Sequence, residues 1–174
     1  MAKLYFSYAA MNAGKSTLLL QAAHNYRERG MDVLLLTSAL YKDDDAGHIS
    51  SRIGISADAA LYTDETDLLA LIRKKQAEHR IDAIFVDEAQ FLTKDQAWQL
   101  ARVADHLDVP VLAYGLRTDF RGELFEGSAT LLAIADSLRE VRTICECGRK
   151  ATMVIRLGPD GKALTEGDQV SIGK

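Results

Sequence analysis

The chain has 174 residues, enough for one domain and a small appendage. Hydrophobic residues make up 48% and charged residues 26%, the balance of a globular chain that buries its own core. Lysine and arginine number 21 against 25 aspartates and glutamates, and the net charge of −4 argues against a binder held to nucleic acid by phosphate contacts and against a basic membrane-surface protein.

No apolar stretch approaches the ~20 residues that cross a bilayer. The first residues, MAKLYFSY, lack the apolar run of a signal peptide. The two cysteines, Cys145 and Cys147, are too close in sequence for an unstrained mutual disulfide. The expectation is a reduced, cytoplasmic protein.

In chain order, Lys3 to Tyr8 reads as a strand. Ser16 to Arg29 reads as a helix striped by Leu18, Leu19, Ala22, Ala23 and Tyr26, with Gly30 just past its end. Asp32 to Thr37 is a continuous apolar run, as in a strand buried on both faces. Tyr41 to Ser51 is polar and unpatterned, a surface loop. Asp64 or Thr66 caps a helix reaching about His79. Ile81 to Val86 is a buried strand, Thr93 to His106 a helix, and Val109 to Tyr114 a strand that tolerates Pro110 near its start. A charged, glycine-bearing loop from Gly115 to Gly127 precedes a helix around Ser128 to Ser137. This alternation predicts an α/β fold, a P-loop NTPase-like parallel sheet flanked by helices, over residues 1–140. Residues 141–174 change character and read as a small module with a β-hairpin around Pro159-Asp160-Gly161.

The strongest chemical signal is Ala9-Ala10-Met11-Asn12-Ala13-Gly14-Lys15-Ser16-Thr17, between a strand and a helix. Backbone N–H groups at a helix start, with the helix dipole, favour an anion there. Lys15 can reach outer phosphates, and Ser16 can ligate Mg²⁺. Ala9 stands where the consensus has its first glycine, so that position must use an ordinary backbone conformation. The bland alternative is a chance Gly-Lys-Ser at a helix start. The second signal is Ile84-Phe85-Val86-Asp87-Glu88-Ala89-Gln90-Phe91, an apolar strand ending in two carboxylates at the sheet edge where ligands gather. Asp87 is placed to hold Mg²⁺. An extended backbone would turn Glu88 the other way, toward an acceptor whose proton it takes. The alternative is that both acids cap the next helix.

MNAGKST, VDEAQFL and YGLRTDFRGELF, followed by a short cysteine motif, resemble in this order and spacing the cytosolic zinc-containing thymidine kinases, bacterial branch, over nearly the whole chain. The resemblance implies transfer of the γ-phosphoryl group of ATP, with Mg²⁺, to the 5′-hydroxyl of thymidine, a salvage step toward DNA precursors. It implies that Ala9, Ala10, Met11, Asn12, Ala13, Gly14, Lys15 and Ser16 bind phosphate, with Asp87, Glu88, Ala89 and Gln90 as a second ATP-side segment. Ser16 and Asp87 attend the magnesium, and Glu88 is the catalytic base. Met11, Phe91, Leu116, Phe120 and Phe125 wall the thymine pocket, a use that suits aromatic and apolar side chains against a flat base; plain core packing is the alternative for each aromatic, favoured for Phe91 taken alone and weaker for Phe120 in its charged, glycine-bearing loop. Arg117 and Arg121 read equally well as phosphate-neutralising groups and as solvated charges.

Cys145 and Cys147 match half of the family's structural zinc site. A closed site takes four ligands, and no Cys or His follows Cys147. The expectation is therefore an incomplete zinc module and a chain shortened before the lasso-like lid over thymidine. Tyr41-Lys42-Asp43-Asp44-Asp45 departs from the family's aspartate-then-arginine loop, with Lys42 or Arg52 as the substitutes on offer. The expected partners are ATP and thymidine, with no nucleic acid, no membrane, and a homo-oligomer, a tetramer by resemblance. The alternative functions are a nucleotide-binding ATPase or regulatory module that phosphorylates no thymidine, and a non-catalytic assembly partner.

Overall fold

Alternation inside the apolar runs decides which side of the sheet each residue serves. Leu34 and Leu36, Ile84 and Val86, and Val111 and Ala113 pack on one face with Leu4 and Phe6, while Leu35, Phe85 and Tyr114 pack on the other. A computed structural model describes residues 1–10, 15–39, 48–50, 56–142 and 157–167. In chain order the elements are β1 (Leu4–Ala9), α1 (Lys15–Glu28), β2 (Val33–Ser38), β3 (His48–Ser50), β4 (Ser56–Asp58), β5 (Ala60–Tyr62), α2 (Leu68–Glu78) and β6 (Ala83–Val86). A 3-10 turn (Ala89–Phe91), α3 (Lys94–Leu107), β7 (Val111–Leu116), α4 (Glu126–Ile134) and β8 (Ser137–Val141) follow.

Six strands form one sheet in the order β5-β2-β6-β7-β1-β8, and every neighbouring pair is parallel. The expected α/β fold with a parallel sheet and helices on both faces is present. α1 supplies Leu19, Leu20 and Ala23 to one face, where Ile49 of β3 joins them. On the other face, Leu68 and Ile72 of α2, Ala97, Leu100, Val103 and Ala104 of α3 and Leu131 of α4 complete the larger core. Each large side chain fully buried there stabilises the fold by roughly 1.5–3 kcal/mol relative to exposure.

Several boundaries differ from the sequence reading, each for a local reason. α2 is capped by Asp67, whose Oδ1 accepts from the Ala70 N–H at 3.1 Å, and neither Asp64 nor Thr66 takes that place. Thr66 instead accepts the Thr63 N–H at 3.0 Å, closing the turn before the helix. The expected loop from Tyr41 to Ser51 contains β3, an antiparallel partner of β4. The helix expected around Ser128 to Ser137 runs from Glu126 and stops at Ile134, because Ala135 is extended at φ −62 and ψ 141. The chain then enters β8, an edge strand beside β1, started by the Leu4 N–H donating to Asp136 Oδ2 at 2.8 Å. Glycine ends α1 as expected, with Gly30 at φ +76.

Residues 157–167 contain an antiparallel bridge between Leu157 and Ala163 around a turn in which the Gly161 N–H donates to the Gly158 carbonyl at 2.9 Å. The hairpin turn expected at Pro159-Asp160-Gly161 is therefore present. Among the described residues, no helix is long and apolar enough to cross a membrane.

Candidate active site

Three strand ends form one edge. β7 lies between β1 and β6; Ala9 finishes opposite Leu116, and Val86 opposite Ala113, so the chain after Val86 runs on alongside the last residues of β7. Ala9 pairs with Leu116, and its carbonyl accepts the Arg117 N–H at 3.0 Å. Ala9 has the ordinary strand conformation expected of an alanine there; among the described residues, Glu88 and Asp108 are the non-glycine positions with positive φ. Ala9 and Ala10 are buried. Met11, Asn12, Ala13 and Gly14 lie outside the described residues, as do Tyr41 to Asp45 and Arg52.

α1 begins with Lys15, whose side chain is 3% exposed. Its Nζ donates to Glu88 Oε1 at 2.8 Å and lies 3.6 Å from Asp87 Oδ1. Ser16 Oγ donates to Asp87 Oδ2 at 3.2 Å. Burial pulls the Lys15 pKa down, but the Glu88 and Asp87 carboxylates outweigh burial, so the net shift is upward and the ammonium keeps its charge. Burial raises the Asp87 carboxyl, the Lys15 charge opposes it, and the nearby Glu88 charge adds to burial; the net is again upward.

The extended backbone expected at Glu88 does not occur. The Asp87 N–H still bonds the Leu36 carbonyl at 2.8 Å, in strand fashion. Glu88 then adopts the left-handed conformation, φ 55 and ψ 41, and the chain enters the 3-10 turn. The two carboxylates consequently converge on one ammonium, where strict alternation would have sent them to opposite sides. Glu88 makes no side-chain cap of that turn.

Gln90 ties this turn to β7. Its Nε2 donates to Glu88 Oε2 at 2.5 Å, and its Oε1 accepts the Leu116 N–H at 3.1 Å. The approach is close enough that a Cβ on Gly115 would meet the Gln90 backbone nitrogen at 2.8 Å. Ser128, fully buried in α4, donates its hydroxyl to the Leu116 carbonyl. Leu116 is thus held at both its N–H and its carbonyl. Ala89 is buried beneath α4, where a Cβ on Gly127 would lie 2.5 Å from its carbonyl oxygen.

Of the residues expected to wall a base pocket, Phe91 and Phe125 meet edge to face with centroids 5.9 Å apart, beside the turn that holds Leu116. Phe120 is buried in the loop between β7 and α4, with the Arg121 guanidinium over its ring at 5.8 Å. Arg121 is also forked onto Asp119, Nη2 to Oδ2 at 3.0 Å, and Arg117 lies over the Tyr8 ring at 5.9 Å.

A hard cation suits the strand-end acids. Asp87 Oδ1 is buried without a hydrogen-bond partner, and Ser16 Oγ adjoins the other carboxylate oxygen. One carboxylate and one hydroxyl are the protein share that Mg²⁺ accepts when phosphates and water complete its shell. Among the described residues no three His, Cys, Asp or Glu side chains gather as a metal site of their own. Cys145 and Cys147 lie outside the described residues.

A family model described as thymidine kinase matches residues 2–174. The chain belongs to the thymidine kinase family. The thymidine kinase of Ruegeria pomeroyi is 64% identical over 173 residues, 99% of this chain and 87% of that protein. That of Mesorhizobium japonicum is 60% identical over 174 residues, covering 100% of this chain and 86% of its own. That of Salmonella typhimurium is 56% identical over 173 residues, 99% of this chain and 84% of its own.

In this thymidine kinase fold three residues that the sequence did not single out serve the site. Ser128 bonds the Leu116 carbonyl, Asp119 folds the loop that follows β7, and Tyr62 reaches Glu88 from β5. Asp119 is raised by burial, but hydrogen bonds from Arg121 and Glu123 outweigh that and hold it below the ordinary carboxylate range. Tyr62, 1% exposed, donates its hydroxyl to the Glu88 carbonyl at 2.9 Å; burial, with the nearby Glu88 and Asp87 charges, raises its pKa well above the ordinary value. The one clue in the sequence was a tyrosine in an apolar triplet, too short to announce a strand.

Proposed function

We propose that the protein transfers the γ-phosphoryl group of ATP to the 5′-hydroxyl of thymidine, releasing ADP and thymidine monophosphate. Membership of the thymidine kinase family supports this reading. The observation that carries it at the level of side chains is the Lys15 ammonium set between Glu88 and Asp87 at the start of α1.

Lys15 pairs with Glu88 and is the cation a γ-phosphate would compete for. As phosphate takes the ammonium, the Glu88 carboxylate is left to accept the proton of the 5′-hydroxyl. The hydroxyl oxygen bonds to the γ-phosphorus, the bond from that phosphorus to the bridging oxygen breaks, and ADP leaves with the electron pair. Bound Mg²⁺ neutralises charge on the phosphates, and Ser16 and Asp87 are the residues that would hold it. Ala9 to Gly14, with the Lys15 and Ser16 backbone, cradle phosphate, and Asp87 to Gln90 line the ATP side. Met11, Phe91, Leu116, Phe120 and Phe125 enclose the thymine ring. Both ends of the Gln90 amide are engaged, by Glu88 and Leu116, which favours transfer to an alcohol over a role for Gln90 in orienting a hydrolytic water.

The reading extends to a cytoplasmic homo-oligomer with a nucleotide-binding domain over 1–140 and a zinc module over 141–174. Cys145 and Cys147 would contribute two thiolates to structural zinc, and no step of the transfer runs through it. The test is to supply Mg-ATP with and without thymidine and follow ADP and thymidine monophosphate together. Equal molar formation of both, only with thymidine present, is expected. ADP released at the same rate without thymidine would replace this reading with an ATPase.

A further inference from the structure

Glu88 occupies a left-handed backbone conformation, φ 55 and ψ 41, that a residue with a long side chain adopts only when its surroundings hold it there. Two kinds of contact do so. The carboxylate is gripped by Lys15 at 2.8 Å and Gln90 at 2.5 Å. The backbone is gripped separately: the Tyr62 hydroxyl donates to the Glu88 carbonyl at 2.9 Å and lies 3.4 Å from the Asp87 carbonyl.

Tyr62 is suited to that work. It ends β5, whose register beside β2 is fixed by the pairing of Ser38 with Tyr62, and its own carbonyl accepts the Ala39 N–H at 2.8 Å. The ring belongs to the larger apolar core, so it cannot swing. A phenol buried in such a core needs a partner for its hydroxyl, and the partner here is the peptide of the catalytic turn. Released from that bond, residue 88 would relax toward the extended region, and in an extended chain successive side chains face opposite ways. The carboxylate would then leave the side of the chain that Lys15 and Asp87 share.

We infer that Tyr62 is a positioning residue for phosphoryl transfer: its hydroxyl holds the Glu88 carbonyl, keeps the left-handed turn, and so keeps the Glu88 carboxylate beside Lys15. This rests on Glu88 being the base. The Tyr62 hydroxyl bonds the Glu88 and Asp87 carbonyls, so its effect on transfer is expected to pass through the turn at Glu88.

Tyr62→Phe keeps the ring and removes only the hydroxyl. It is compared with the parent, with Glu88→Gln, and with the double variant, each rate being normalised to binding-competent sites counted by nucleotide titration so that imperfect folding does not enter. In the parent background kcat should fall about 10- to 100-fold, the scale of a displaced catalytic group, while KM for ATP and thymidine changes less than about threefold. In the Glu88→Gln background the same substitution should change kcat less than about twofold, because the group it positions is gone. An unchanged kcat in Tyr62→Phe, or an equal fractional loss in both backgrounds, overturns the inference and leaves Tyr62 a core residue. If Glu88→Gln alone retains turnover, the base assignment fails first and visibly, and this inference falls with it.

Discussion

Glu88 and Asp119 show how single carboxylates in this site are set by what donates to them. With Lys15 on one oxygen and Gln90 on the other, Glu88 is held where an amide could sit almost isosterically. Glu88→Gln should therefore bind Mg-ATP nearly as the parent does while turnover drops at least ~100-fold, the usual share of general-base assistance; steady-state rates alongside calorimetric ATP binding decide it, and turnover comparable to the parent removes Glu88 from that role. Asp119 serves structure. Its Oδ1 accepts the Arg121 and Glu123 N–H groups at 2.8 and 3.1 Å, which folds the loop carrying Phe120. Its folded pKa lies below the ordinary 3.8, so the carboxylate's contribution is fully present above that value and is lost as pH falls through the folded one. Asp119→Asn should cost about 1–3 kcal/mol at pH 7, and much of that difference should vanish in acid below the depressed folded pKa, where both proteins carry a neutral side chain. Urea unfolding at the two pH values reads it.

α4 is positioned by what it lacks. Gly127 sits against the Ala89 and Leu92 carbonyl oxygens, where a Cβ would come within 2.5 and 2.7 Å, both backbone atoms that cannot step aside cheaply. Gly127→Ala should therefore lift α4 away from the 3-10 turn, destabilise the fold by about 1–3 kcal/mol, and loosen the Phe91–Phe125 contact. Its signature is a raised KM for thymidine with KM for ATP nearly unchanged; equal effects on both would mean that α4 supports the whole edge. The same element shows what local sequence can and cannot reveal. α3 was legible because Thr93 and Gln96 form a reciprocal cap and its apolar residues recur at helical spacing. β2 and β6 were legible as apolar runs, and the phosphate-loop pattern and strand-end acids marked Lys15 and Asp87. β3, β4 and β5 escaped because three residues give alternation nothing to repeat. β8 escaped because a strand at the edge of the described sheet, beside β1, keeps polar, exposed residues and reads as the tail of a helix. The conformation of Glu88 escaped in another way: its left-handed turn is held by the Tyr62 hydroxyl and the Lys15 ammonium, both distant in sequence, as well as by the neighbouring Gln90 amide.

At the scale of the molecule, the charges at the strand ends join elements that the sheet order keeps apart. β1 and α1 lie on one side of β7 and β6 on the other, yet Lys15 bonds across to both acids of the β6 end. Removing the cation would leave two carboxylates facing each other, Asp87 at 6% exposure and Glu88 at 18%. Breaking a buried pair from one side typically costs about 3–5 kcal/mol, so Lys15→Met should unfold far more readily at pH 7. The loss should depend on pH with a definite sign. Burial already raises Asp87, and Lys15 is the main influence opposing that rise. Without Lys15 the folded pKa climbs further above the unfolded value, so the folded variant takes up a proton that its unfolded chain does not. That contribution is greatest in acid and is lost as pH rises through the folded pKa. The difference in melting temperature between parent and Lys15→Met should therefore be smaller at pH 5 than at pH 8, measured with chelator present so that no divalent ion stands in for the ammonium. A gap of the same size at both pH values would assign the effect to the packed methylene stem of Lys15, and the joint between the two halves of the sheet would be apolar instead of electrostatic.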